Sequence, residues 1–144
     1  MEQTDKLELM YTLFCDDVRL EVGNKLSLMG VFHQLVVQRF PVTLMKFAVV
    51  SQWRGEGRHL SEVRILSEDR QQPLMLSEPS PFEVAPGGVA NNISFFFNVD
   101  FPAPGTYRVQ TLVDSSLADE QDLRLILLDS AGPSRPDATS EAVN

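Results

Sequence analysis

Between Asn92 and Asp114 the chain reads NISFFFNVDFPAPGTYRVQTLVD, and no other stretch limits its folding as tightly. Ile93, Phe95, Phe97, Val99 and Phe101 alternate with Asn92, Ser94, Asn98 and Asp100, the period of a strand with one buried face. Phe96 alone breaks the alternation. Pro102 and Pro104 then stop the pairing, because a proline nitrogen has no hydrogen to donate and its φ is fixed. Gly105 completes a turn. Beyond it Tyr107, Val109, Thr111 and Val113 share one face and Arg108, Gln110 and Asp114 the other, which predicts two neighbouring strands of opposite direction.

The 144 residues suffice for one domain with a real core, since a chain of about this size buries roughly 68–70% of its unfolded surface. Neither a disulfide framework nor a structural metal is required. A formal charge of −8, with Lys and Arg scattered rather than clustered, repels a phosphate backbone and argues against nucleic acid as partner. No apolar run approaches the ~20 residues of a membrane-spanning helix. The first residues, MEQTDKLELMYTLF, alternate and carry acids around Lys6, unlike a signal peptide. With a single cysteine, Cys15, no internal disulfide forms, in agreement with a reducing, cytoplasmic setting.

Upstream, Leu7, Leu9, Tyr11, Leu13 and Cys15 alternate with Glu8 and Thr12, which predicts a first strand preceded by frayed residues 1–6. Gly23-Asn24 separates Val18, Leu20 and Val22 from Leu26, Leu28 and Phe32, which predicts a hairpin. Gly30 is then a bulge, or a place where another side chain lies over bare backbone. After Pro41, Thr43 to Trp53 reads as a strand covered on both sides, Gly55-Glu56-Gly57 as a turn, and His59 to Ser67 as a half-exposed strand returning antiparallel. Pro73, Pro79, Pro81 and Pro86 exclude a helix and confine any strand there to an edge. Ser115 to Asp122 reads as an acidic loop before a last strand around Leu123, Leu125 and Leu127.

No helical period persists for three turns, so about eight short strands predict an all-β fold, an antiparallel β-sandwich of immunoglobulin-like type. Tyr107, shortly after a glycine turn at the start of a late strand, partly matches the tyrosine corner of such sandwiches, with longer spacing. One domain is expected over residues 7–129, with a disordered tail at 130–144.

Three motifs in this order, the GNKLSLMGVF hairpin, the GEGRH turn and FPAPGTY, resemble a family of uncharacterised bacterial proteins known as a domain of unknown function. The longer stretches that hold them, CDDVRLEVGNKLSLMGVFHQLVVQRFP, GEGRHLSEVRIL and FPAPGTYRVQTLVD, span about Cys15 to Asp114. Where the family pattern has a "dpdG" turn after Leu66, this chain has SEDRQQP. The resemblance implies a small bacterial β-domain and carries over no catalytic residues.

Among single residues, His59 beside the GEG turn has the chemistry of a base or ligand near neutral pH, or ends a strand and bonds a neighbouring loop. No nucleophile or third group completes a constellation around it. His33 stands the same way. Cys15, on an apolar face, reads as a buried inert thiol. A zinc site needs about four ligands, against one Cys and two His. The acids Asp114, Asp119, Glu120 and Asp122 lack the spacing of a calcium loop. No metal or cofactor is therefore expected. Phe96 lies either under a second layer or in an exposed patch used for binding. The leading expectation is a non-enzymatic binding or oligomerisation module, acting through a face or edge that includes Phe96. The alternative is a loop-based, metal-dependent ligand binder or enzyme using His59 and nearby acids.

Overall fold

Residues 7–128 are described by the computed structural model, so the expected fraying of residues 1–6 and the tail at 130–144 lie outside the described residues. Eight strands follow one another: β1 (Leu7–Glu21), β2 (Lys25–Phe32), β3 (Gln34–Val37), β4 (Val42–Leu66), β5 (Pro73–Leu76), β6 (Ser80–Phe101), β7 (Gly105–Val113) and β8 (Ser116–Leu127). They form one sheet in the order β2-β1-β4-β7-β8-β3, with β5 and β6 also on β4, curled into a half-barrel. The all-β class is as read from the sequence. The sheet is mixed rather than wholly antiparallel, because β3 runs parallel to β8.

Two expected breaks are absent. Asp16 and Asp17 do not separate two strands, and β1 runs through them to the Gly23-Asn24 turn, where Glu21 pairs with Lys25. Nor is Gly55-Glu56-Gly57 a turn. β4 continues through it as a 25-residue strand that bends instead of reversing. Gly55 and Gly57 take φ of 148° and 102°, values open to glycine, and β6 bends alongside. Pairing passes from Gly55↔Gly88 to Gly57↔Val84, so Ala85, Pro86 and Gly87 bulge out of β6. Gly88 cannot be replaced cheaply there, since a Cβ would stand 2.9 Å from the Ala85 carbonyl oxygen.

The bend lets β4 organise the whole sheet. Before it, β4 lies between β1 and β6; at Ser61 it pairs with both Ser80 of β6 and Val113 of β7. The edge that β1 leaves is thus taken over by β7. β6 and β7, expected to pair with each other, each pair with β4 instead. Pro102 to Pro104 carry the chain between them, and the Tyr107 hydroxyl donates back to the Ala103 carbonyl within that connection. The acidic segment after Asp114 is strand as well. Asp114 and Ser115, at φ of 51° and 69°, form the tight turn, and β8 begins at Ser116.

The main core fills the concave side with Phe14, Phe47, Phe96, Phe101, Ile65, Val109, Leu123, Leu125 and their neighbours. Phe47 stacks on Phe96 with centroids 5.5 Å apart, and Phe101 meets Tyr107 edge-on at 4.8 Å. Each such ring contributes about 1.5–3 kcal/mol by leaving water.

Phe96 belongs to this core because the sheet changes phase. Asn98 adopts φ 55°, the left-handed region that a short polar side chain tolerates. On one side of Asn98 and Met45 the inward residues are Leu44, Val99 and Phe101; on the other they are Phe47, Val49 and Phe96. Register along the ladder is unchanged across this point. Phe96 is 3% exposed, while Ile93, Phe95 and Phe97, inward by the sequence period, face out at 37%, 40% and 55%.

Candidate functional site

The convex side of the β1–β4–β6 sheet carries an apolar field. Val31, Cys15, Ala48 and Phe95 form one row across four strands, and Leu13, Val50 and Ile93 the next. Cys15, Ala48 and Val50 are buried at its centre under Tyr11, Val18, Leu26 and Leu28. Phe95 and Phe97 stand at its margin with centroids 6.3 Å apart. The Lys46 ammonium lies 5.1 Å from the Phe95 ring centroid and 2.9 Å from the Asp17 carboxylate, so a cation screens part of the field. Lys46 holds the Asp17 carboxyl below its ordinary range, whereas burial raises the Cys15 thiol, with the Asp16 charge adding to it. Such a thiol is inert.

Beside this field runs an open edge. Among the described residues β6 pairs only with β4, so from Gly88 to Phe101 its other side is hydrogen-bonded to no strand. A groove of about 410 Å³ follows that edge, with Ile93 to Phe97 on one wall and Met75 to Glu78 and Ser80 on the other. The sequence pattern singled out Phe96 on this strand, and of its two readings the covered one holds, because a left-handed Asn98 that leaves no mark in the period turns Phe96 inward. One legible sign exists: from Val84 to Val99 the chain holds no charged residue and no histidine.

His59 lies elsewhere, inside the bend of β4, and is buried. Nδ1 stands 2.7 Å from Asp114 Oδ2 and Nε2 2.9 Å from the Glu56 carbonyl, while the ring packs on Phe82 at 5.5 Å. Phe82 in turn stacks on Trp53 at 5.6 Å. Asp114 Oδ1 also accepts from the Leu60 N–H at 2.9 Å. Burial alone would raise the Asp114 carboxyl, but the His59 ring and the Leu60 N–H bring it below its usual value. His59 therefore ties the β4 bend to the β7–β8 turn. It sits mid-strand rather than at a strand end.

The other candidates do not converge. Glu120 takes a two-pronged contact from Arg70 at 2.8 and 2.6 Å, plus Gln110 at 2.8 Å; Asp122 pairs with Arg108 at 2.7 Å. His33 is exposed and lines a shallow recess with Asp16. Among the described residues no group of three His, Cys, Asp or Glu side chains is placed to hold a metal ion.

Fold and surface together define an all-β module with an apolar convex field and an unpaired strand edge. By sequence, residues 10–126 match the model of a family of unknown function, DUF6941, and the chain belongs to that family. No curated protein matches it. Among solved structures it is similar to part of the alkylpurine DNA glycosylase AlkC of Pseudomonas fluorescens, bound to DNA with an abasic-site analogue, at TM-score 0.53 and 8% identity over 83% of this chain and 30% of that one. It is also similar to part of the β-glucosidase of Listeria innocua (TM-score 0.50, 11% identity, 86% of this chain and 17% of that one). A β-glucosidase of Erythrobacter marinus gives TM-score 0.53 at 11% identity, over 85% of this chain and 16% of that one. The chain spans less than a third of each, and likeness at such identity describes fold alone.

Proposed function

We propose that this protein is a non-enzymatic association module of the bacterial cytoplasm, binding another polypeptide through the convex field and free edge of β6. The observation that carries the reading is the coincidence of half-exposed Ile93, Phe95 and Phe97 with an unpaired strand beside an open groove. Extended edges bind by adding a strand, where main-chain bonds give affinity and alternate side chains give selectivity. Phe96, the residue first singled out on this strand, supports the site from beneath by stacking on Phe47. A cytoplasmic setting is supported by a single buried, unpaired Cys15. We read the half-barrel as a variant of the immunoglobulin-like sandwich, with the Tyr107 hydroxyl bonded back to Ala103 as support.

The rival reading, a metal-dependent binder or enzyme built on His59, has weaker support, since both ring nitrogens already face Asp114 and the Glu56 carbonyl. Replacing Ile93, Phe95 and Phe97 together with Ser tests the association role. The variant is expected to keep its circular dichroism while losing every protein-bound species that the wild type forms. Unchanged mass and unchanged bound proteins would remove the reading.

A further inference from the structure

We infer that the polypeptide bound at this edge is a second copy of the chain, paired antiparallel along β6 about a two-fold axis beside Phe95, an identity that rests on the association role just proposed. Charge favours it. Each copy carries a formal −8, and like-charged molecules approach where charge is sparse; Val84 to Val99 carries no charge of its own, and the Lys46 ammonium beside Phe95 adds a positive charge rather than a further negative one.

Three other strand edges among the described residues are guarded. β3 and β5 have four residues each, and β5 opens with Pro73. β2 has Lys25 at one end and at the other Gly30, φ 70°, whose backbone is covered so closely by the Asp16 carboxylate that no Cβ fits. β6 from Gly88 to Val99 has neither lysine nor proline to prevent pairing.

The side-chain phase is self-complementary too. With Phe95 facing its own copy, Ile93 of one chain faces Phe97 of the other, and all outward apolar residues of both copies fall on one side of a continuous sheet. A slip of one residue would set Phe95 against Ser94 and turn one copy's convex side to the other's concave side. The two-fold arrangement is therefore the one that matches like faces.

Light scattering of the purified chain over a wide concentration range tests this, using Phe95→Glu, Phe95→Lys and their equimolar mixture. The wild type is expected at twice the chain mass and each variant alone at the chain mass, because like charges then face each other across the axis. The mixture is expected to return to twice the chain mass. Circular dichroism and thermal unfolding confirm that both variants fold. In the wild type, every second amide of residues 91–97 is expected to exchange with solvent at least tenfold more slowly than in Phe95→Glu. A wild type at chain mass throughout, or a dimer indifferent to both charges, overturns self-pairing. If that monomer still loses a bound protein of another kind on Phe95→Glu, the association role survives with a different partner. If nothing is lost, both fall.

Discussion

The same pair of strands, β4 and β6, presents two opposite surfaces. On the concave side Phe47, Phe96, Val99 and Phe101 are sealed against β7 and β8, and on the convex side Phe95 and Phe97 stand half in water. Hydrophobic composition does not separate them, since both are phenylalanine-rich. What separates them is whether a second layer lies opposite. Burial converts an aromatic into stability, and lack of cover leaves it available for association.

The sharpest test of that contrast is Phe47→Ala against Phe97→Ala. Removing a fully enclosed ring is expected to cost about 3–5 kcal/mol by denaturant unfolding, and the half-exposed one less than about 1 kcal/mol. Comparable losses at both would mean that the convex side is covered after all.

A second test concerns the bent end of β4, which joins the two surfaces. His59→Phe keeps a ring against Phe82 but leaves Asp114 Oδ2 and the Glu56 carbonyl without a donor, so a loss of ~1–3 kcal/mol is expected. Asp114 has a lowered pKa in the folded state. Its contribution is therefore present above the ordinary carboxylate pKa of about 3.9 and disappears as pH falls through the folded value. Wild type and Asp114→Asn, unfolded at neutral pH and in acid, should converge in stability at the acid end; a constant gap would show that Asp114 acts through shape alone.

Next in size comes the outward side of β7 and β8, which carries the Arg70–Glu120 and Arg108–Asp122 pairs, whereas among the described residues β6 from Gly88 to Val99 carries no charged side chain. Arg70 and Gln110 hold the Glu120 carboxyl at about 2 against an ordinary 4.5. With a depressed pKa, the stabilisation is complete above pH 4.5 and is lost as pH falls toward 2. Arg70→Ala should flatten that acid limb and cost no more than about 1 kcal/mol at neutral pH, as exposed pairs do. The smallest effect on folding is expected for Phe97→Ser, within about 0.5 kcal/mol of wild type, with its consequence appearing in association. A larger loss in dilute monomer would assign Phe97 to the core.

Much of the architecture was legible, and the failures have local causes. Alternation identified β1, β2, β4, β7 and the later part of β6 but not β3 or the start of β8, and Gly23-Asn24 identified a real hairpin because both residues take positive φ, at 87° and 60°. Gly55-Glu56-Gly57 looked equivalent and is a bend, since β6 follows β4 around it and pairing never has to end. The acids of β8 resembled a loop because opposite charges from Arg70 and Arg108, distant in sequence, make an acidic strand tolerable. His59 and Asp114 were each noticed, but nothing along the chain linked residues 55 apart.

By itself the sequence determined the local conformational choices: extended segments, tight glycine turns, an uncharged run along β6 and the absence of any helical period. Those choices depend on each residue and its near neighbours. Which aromatic faces the core was decided only in the tertiary structure. A left-handed Asn98 reverses the inward side between Val99 and Phe96, and such a reversal follows from closing a curved sheet over its own core.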